Sequence, residues 1–215
     1  MEHNHAIGLS GRVFTLLCLI LLTLPCWSQT KLSDEQQKQI LEKIDAAAQT
    51  MTTMQCDFTQ TKHMKLLKKD MESKGKMYFK RPDKLRWQYT SPYDYIFILN
   101  GDKVTLNTKQ IDAQKNKMFR QITNIIINSI TGGGLKSAAD FSVELYKTDN
   151  SYSAKLYPKK KEVKQVYQVI EICFNPALTA VSSVKMVEKT GDTTTVTLSN
   201  TKNNAAIDET LFSIR

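Results

Sequence analysis

The most informative pattern in the sequence is a period-2 alternation of apolar and polar residues that one charged residue interrupts. Two runs follow this pattern, residues 75–80 and residues 84–89, and each has one apolar side. Its apolar members are Gly75, Met77, Phe79, Leu85, Trp87 and Tyr89. Arg81 continues the apolar side of the first run, where a cation is costly unless it has hydrogen-bond partners. The pattern therefore predicts either a solvated strand end at Arg81 or a specific role for its guanidinium inside the fold.

One amphipathic helix precedes these strands. Ser33 and Gln36 have the spacing of a capping box, and apolar residues then recur at helical spacing from Ile40 to Met51. We therefore predict a helix over residues 34–50.

The rest of the chain predicts a long series of antiparallel strands with one interruption. Alternating segments run from residue 55 to residue 121, with Asn100-Gly101 as a hairpin turn, and again from residue 141 to residue 201. Between them the period changes to that of a short helix, which the glycines at 132–134 end. The apolar residues of this short helix are Ile122, Ile125, Ile126 and Ile130. The predicted fold class is α+β and mostly β, with two helical segments available to cover the apolar face of one sheet.

The inward side of this sheet carries a large set of apolar residues. We predict it to contain Phe58, Met77, Phe79, Leu85, Trp87, Tyr89, Ile96, Ile98, Leu106, Ile170, Ile172 and Phe174. A sheet of about ten or eleven strands curls on itself, and two short helical segments would cover its concave face without filling it. The remaining space would suit an acyl chain. The alternative is an ordinary core that the first helix seals.

On the cavity model, Arg81 lies at the inner rim. Its five donors would reach carbonyl groups of the covering helices and hold them closed as a latch. On the alternative model, Arg81 points to solvent at the end of its strand.

The N-terminal segment has the features of a secretory signal. Arg12 precedes an apolar run over residues 13–24, which is too short to span a bilayer. We expect cleavage after Ser28, so that residues 1–28 are a signal peptide and residues 29–215 form a single exported domain. A lipoprotein signal with Cys26 as the lipidated residue is the alternative, and Pro25 disfavours it.

The composition excludes several classes of protein. The net charge is +9, but the basic residues are scattered, and the run Lys159–Lys161 is expected to be a solvated hairpin tip, so nucleic-acid binding is not predicted. An anionic membrane surface or an acidic partner is a weaker alternative. Cys56 and Cys173 are predicted to face different sides of the sheet and to remain free thiols, although export would permit a disulfide. His63 is the single histidine of the mature chain, so no metal site, catalytic triad, cofactor site or enzyme is predicted.

Four blocks of the sequence resemble a known family. CDFTQTKH, SKGKMYFKRPDKLRWQYTSP, ILNGDKV and the closing AAIDETLFSI are similar to successive blocks of the periplasmic outer-membrane lipoprotein carriers of the LolA family. The resemblance covers roughly residues 32–214. It implies an incomplete β-barrel with an α-helical lid over a hydrophobic cavity, and the four isoleucines at 122–130 lie where the lid helices would be.

The resemblance also implies a function. Arg81 matches the arginine that bonds to the lid, Leu85 a position at the mouth of the cavity, and Trp87 and Tyr89 positions that line it. The cargo would be acylated lipoproteins, taken from an inner-membrane ABC transporter in the periplasm and passed to an outer-membrane acceptor. The chain would act as a monomer without hydrolysing anything.

A second function remains open. The well-studied carriers continue beyond the position of Arg215 into an extension that helps to keep transfer one-way, so a receptor-type domain of the same fold is an alternative. A lipid-sensing regulatory domain that binds a lipid and signals to a partner is another.

Overall fold

A computed structural model describes residues 29–67, 69–101, 103–107, 109–111, 127–128, 134–135 and 140–213 of the 215-residue chain. The α-helices whose bounds lie within the described residues are α1 (Asp34–Thr50) and α2 (Lys161–Val166). The strands are β1 (Thr30–Lys31), β2 (Thr53–Met64), β3 (Lys69–Lys80), β4 (Lys84–Ser91), β5 (Tyr95–Asn100), β6 (Lys103–Leu106), β7 (Lys109–Ile111), β8 (Phe141–Thr148), β9 (Ser151–Pro158), β10 (Tyr167–Phe174), β11 (Val181–Glu188) and β12 (Thr193–Asn203). A 3-10 turn, Glu209–Phe212, follows β12.

The predicted first helix is confirmed at both ends. Ser33 Oγ accepts a hydrogen bond from the backbone N–H of Gln36, and Gln36 Oε1 accepts one from the backbone N–H of Ser33, which completes the capping box. Ile44 and Ala48 are the buried residues of the helix, and Met51 is its C-terminal cap. Local signals therefore account for the start of α1.

All twelve strands form one antiparallel sheet. Its order is β1-β8-β9-β10-β11-β12-β2-β3-β4-β5-β6-β7, and the two outer strands, β1 and β7, do not pair with each other. The prediction of a mostly β fold with an open antiparallel sheet is thus confirmed. Hairpins connect most neighbours, and the pairing of β12 with β2 brings the two halves of the chain together.

One face of the sheet carries the main apolar core, because alternate residues of paired strands point to the same side. We call it the inner face. Its buried side chains include Met54, Cys56, Phe58, Met77, Phe79, Leu85, Trp87, Phe97, Leu145, Ile170, Ile172, Phe174 and Leu198. Ile44 and Met51 of the α1 region belong to the same cluster. These side chains form the inward face that the sequence predicted, except in strand β5.

The prediction for β5 was wrong by one residue. Trp87 pairs with Phe97, and Ile98 pairs with Arg86, so Ile96 and Ile98 lie on the outer face. Phe97 and Leu99 lie on the inner face instead. Because YIFIL is apolar at every position, its own pattern cannot determine which side faces inward, and only the pairing with β4 does.

The C-terminal segment covers the outer face where Ile98 lies. The turn Glu209–Phe212 packs against β4 and β5, and the Phe212 side chain is fully buried. Arg86 Nη1 donates to the carbonyl of Leu211 at 3.1 Å, and Asn100 Nδ2 donates to the carbonyl of Phe212 at 3.1 Å. This second, smaller core explains why Ile98 is buried although it is on the outer face.

The basic run at 159–161 is exposed in the connection between the antiparallel strands β9 and β10, as predicted, but this connection also contains a helix that was not predicted. Lys161 begins helix α2, and the strand that follows begins at Tyr167. The expected free thiols are observed: Cys56 is buried on the inner face, and Cys173, which pairs with Ser183 and Ser153, is half-buried on the outer face.

Gly75 offers a direct test of this packing. A Cβ atom built there would lie 2.0 Å from the carbonyl oxygen of Gln88 and 2.5 Å from Cζ of Phe58. We predict that Gly75→Ala lowers the free energy of unfolding by about 3 kcal/mol, because backbone or ring must move to make room. Denaturant unfolding would measure this. Lys76→Ala, on the exposed side of the same strand, is the control, and equal stabilities of the two variants would contradict the packing described here.

Candidate functional site

Arg81 lies just after β3 and joins the sheet to the end of α1. Its Nε donates to the carbonyl of Met51 at 2.7 Å, and its Nη2 donates to the carbonyl of Ala48 at 2.8 Å. The backbone N–H of Arg81 donates to the carbonyl of Thr52 at 2.9 Å. The residue as a whole is exposed, but both side-chain bonds are partly buried.

These bonds supply hydrogen-bond donors to carbonyl groups at the C-terminal end of α1. The last carbonyl groups of a helix lack partners within it, and they carry partial negative charge that favours a nearby cation. No basic residue lies in the last turn of α1. Arg81 therefore supplies from the sheet the cation and the donors that the helix sequence lacks, and this explains an arginine on the apolar side of the pattern.

A row of aromatic rings crosses the inner face of β2, β4 and β5. The ring centroids of Phe58 and Trp87 are 4.3 Å apart, those of Phe58 and Tyr89 are 5.2 Å apart, and those of Tyr89 and Tyr95 are 6.1 Å apart. Exposure rises along this row, from 2% for Phe58 to 37% for Tyr95. The row is therefore a continuous apolar path from the core to the end of the sheet where β4 and β5 are joined.

Polar atoms on this path are few. Tyr89 Oη donates to Gln60 Oε1 at 2.9 Å, and burial raises the pKa of Tyr89, so the phenol is neutral at ordinary pH. The indole N–H of Trp87 is buried near the Tyr89 hydroxyl, whose pKa it lowers against the effect of burial, but it makes no hydrogen bond of good geometry within the described part of the chain. A buried donor without a partner is uncommon and is available to a carbonyl group that enters from outside.

Away from the aromatic row, near strand β8, α1 covers the inner face less completely. A cleft of about 280 Å³ lies between the first half of the helix and strand β8. Its lining residues are Asp34, Gln37, Lys38, Leu41 and Val143. Gln37 also ties the helix to β8, because its Oε1 accepts from the backbone N–H of Leu145 at 3.0 Å. Helix α1 is thus fixed to the sheet at both ends.

The predicted lid residues, Ile122, Ile125, Ile126 and Ile130, lie outside the described residues. Two described residues of the same stretch, Ile127 and Leu135, pack with the core of the inner face. Of the predicted inner-face residues, Phe58, Met77, Phe79, Leu85, Trp87 and Tyr89 lie together there. The prediction missed Gln60, Tyr95 and Phe97, whose positions depend on cross-strand pairing rather than on their own segments.

The described ranges contain no cluster of three or more histidine, cysteine, aspartate or glutamate side chains that would suit a metal ion. The helices within the same ranges include none that is long and apolar enough to cross a membrane.

The architecture defines a class: an open antiparallel half-barrel with a helix held against its concave, aromatic-lined face. A family model described as "Outer membrane lipoprotein carrier protein LolA" matches residues 49–215. The chain belongs to the LolA family.

Known relatives agree with this assignment. The chain is 26% identical to the outer-membrane lipoprotein carrier protein of Methylococcus capsulatus, over 90% of each chain. It is 22% identical to the protein of the same name from Chromohalobacter salexigens, over 80% of each chain. Among solved structures, MucB has the same fold, with a TM-score of 0.53 and 9% identity over 84% of this chain and 63% of MucB.

Cys56 provides a reporter for the contact between Arg81 and α1. Burial raises the pKa of the Cys56 thiol to about 12, so we expect it to react slowly with alkylating reagents. We predict that Arg81→Leu, in a Cys173→Ser background, accelerates labelling of Cys56 by roughly 30-fold, because two hydrogen bonds of about 1 kcal/mol each no longer hold the helix end.

Arg86→Leu is the matched control, because Arg86 bonds the C-terminal turn on the outer face instead. Equal labelling rates in the parent chain and in Arg81→Leu would show that Arg81 does not restrict opening of the inner face.

Proposed function

We propose that this protein is a periplasmic carrier that binds the acyl chains of lipoproteins on its inner face and carries them from the inner to the outer membrane. The row from Phe58 to Tyr95 is the observation that carries the proposal. It combines a buried apolar interior with an exposed end, which is the arrangement that an acyl chain entering from one side requires. Membership of the carrier family and the names of the relatives support the same cargo.

Arg81 is proposed to act as the latch of the empty carrier. An acyl chain that runs along the aromatic row and beneath α1 as far as Arg81 would displace the C-terminal end of the helix and break the bonds to Ala48 and Met51. The free energy of these bonds is then recovered when the cargo leaves. The arginine therefore weakens binding enough for release, which a shuttle needs as much as it needs capture.

Trp87 is proposed to recognise the head of the acyl group. Acylated lipoproteins carry ester and amide carbonyl groups at the start of each chain, and the Trp87 indole N–H is a buried donor without a partner in the described residues. A hydrogen bond to such a carbonyl would place the polar head of the cargo beside Tyr89 and Gln60 and direct the chain into the core.

The proposal also covers the export of the protein and its partners in the two membranes. Residues 1–28 are proposed to be removed on export, which leaves residues 29–215 as a soluble periplasmic domain. An inner-membrane ABC transporter would load it, and an outer-membrane acceptor would unload it. The domain is proposed to have no catalytic activity of its own.

A transfer assay tests this function. The mature chain is loaded with a fluorescent triacylated peptide, and passage of the peptide to acceptor vesicles is followed with time. We predict that Arg81→Leu binds the peptide about tenfold more tightly or better and releases it correspondingly slowly, because opening no longer costs the hydrogen bonds to α1. Arg81→Lys, which keeps the charge without the planar fork, is expected to lie between the two.

Different results separate the alternatives. Uptake without release from the parent chain, even to acceptor vesicles in excess, would favour the lipid-sensing or receptor-type domain of the same fold. Identical binding and release by the parent chain and Arg81→Leu would refute the latch. Trp87→Phe is predicted to weaken binding of the triacylated peptide more than binding of a plain hydrocarbon probe, and an equal effect on both would remove the proposed role of its N–H.

A further inference from the structure

The exposed apolar residues of this protein are concentrated at one end of the sheet. We call it the apolar end. Within the described residues, the large hydrophobic side chains that are exposed are Leu66, Leu67, Met71, Tyr93, Tyr95, Tyr157 and Val166. The strand pairs Tyr167–Glu188, Thr193–His63, His63–Asp70 and Tyr89–Tyr95 place all of them at or beside the same end. Arg81 and the C-terminus of α1 lie at the opposite end.

The most exposed of these residues form the tip of the β2–β3 hairpin. Leu66 is 92% exposed and Leu67 is 62% exposed. The last pair between β12 and β2 is Thr193 with His63, so both leucines stand beyond the neighbouring strand. Turns usually carry glycine, proline, asparagine, aspartate or serine, and both leucines there are largely exposed within the described part of the chain. Apolar side chains in such a position indicate a contact outside the domain.

The hairpin tip is well ordered at its base. The backbone N–H of Leu67 donates to the carbonyl of Met64 at 3.1 Å, and the backbone N–H of Lys65 donates to Asp192 Oδ1 at 3.0 Å. His63 Nδ1 lies 2.6 Å from Asp70 Oδ1 across the hairpin. These hydrogen bonds hold the base from which the two leucines project.

Basic residues outnumber acidic ones around this tip, where Lys62 pairs with Glu188 and the backbone of Lys65 bonds Asp192. Between Lys62 and Asp70 the sequence has four lysines and one aspartate. Lys189 lies in the neighbouring β11–β12 turn, and the run Lys159–Lys161, with Lys164 of α2, lies at the same end of the sheet beyond β10. Apolar side chains at a tip, with lysines behind them, match a bilayer whose surface is negatively charged: the leucines enter the acyl region and the lysines meet phosphate groups.

We infer that the apolar end docks on an anionic lipid bilayer, with Leu66 and Leu67 inserted and the surrounding lysines on the headgroups. The inserted side chains, Leu66 and Leu67, do not belong to the inner face, and the inference stands whether or not that face carries lipoproteins. Tyr95, at the exposed end of the aromatic row, lies at the same end of the sheet as this hairpin tip, although its strand register places it level with Phe58 and not with the tip.

Vesicle co-sedimentation of the chain 29–215 tests the inference. We expect binding to vesicles of phosphatidylethanolamine with phosphatidylglycerol, and at least tenfold weaker binding to vesicles of phosphatidylcholine alone. Leu66→Ser with Leu67→Ser is expected to reduce binding to the anionic vesicles at least tenfold with an unchanged unfolding transition, because both side chains are exposed. Lys65→Gln with Lys69→Gln is expected to reduce it as well, and the matched pair Lys147→Gln with Lys202→Gln, at the opposite end, is expected to leave it unchanged.

A second measurement distinguishes insertion from surface attraction. In a chain whose own cysteines are replaced by serine, an environment-sensitive dye on Leu66→Cys is expected to shift to the blue on anionic vesicles, and the same dye on Lys202→Cys is not. Absence of binding to either kind of vesicle would overturn the inference and assign the apolar end to a protein partner. Binding that the leucine substitutions do not weaken, or a Leu66→Cys dye that stays in water, would also overturn it.

Discussion

The pair of hydrogen bonds from Arg81 to the end of α1 connects the two layers of this protein. A helix whose last turn has no basic residue is completed by a cation from the sheet, at the point where β3 turns into β4. The bonds are partly buried and directed at carbonyl groups, so they are strong enough to define where the helix ends and weak enough to break when something enters beneath it. Together with the bond from Leu145 to Gln37 and the packing of Ile44, this contact holds α1 over the inner face.

The inner face that α1 covers is built by strand pairing. Phe58, Trp87 and Tyr89 come from two strands that are not adjacent, and strand β3 lies between them. Gly75 of β3 makes their meeting feasible, since a side chain there would occupy the space that the Phe58 ring fills. Glycine weakens a strand locally because it has no side chain to pack. At position 75 the same lack of a side chain leaves room for the aromatic row along which we propose that cargo binds.

Much of this architecture could be predicted from local sequence signals, and the failures have a common cause. The capping box at Ser33 and the helical spacing after it predicted α1 correctly, because both signals lie within the helix itself. Ile96 and Ile98 were assigned to the wrong face because their strand is apolar on both sides, and only its pairing with Trp87 and Arg86 fixes the register. The helix at Lys161–Val166 was missed because six residues give too short a period to recognise. The sequence predicted that Arg81 would bond to carbonyl groups of a helix. It could not show that these carbonyls belong to the end of α1, because that contact joins residues far apart in the sequence.

The central claim is that the inner face accepts acyl chains, and native mass spectrometry of residues 29–215 tests it most directly. The protein would be incubated with a triacylated peptide and, separately, with the same peptide after removal of its acyl groups. Our account predicts an adduct of one acylated peptide per chain and none with the deacylated peptide, and it predicts that Phe58→Asp, which places a charge in the aromatic row, abolishes the adduct. A bare protein in both incubations would contradict the account and leave the inner face as a filled core.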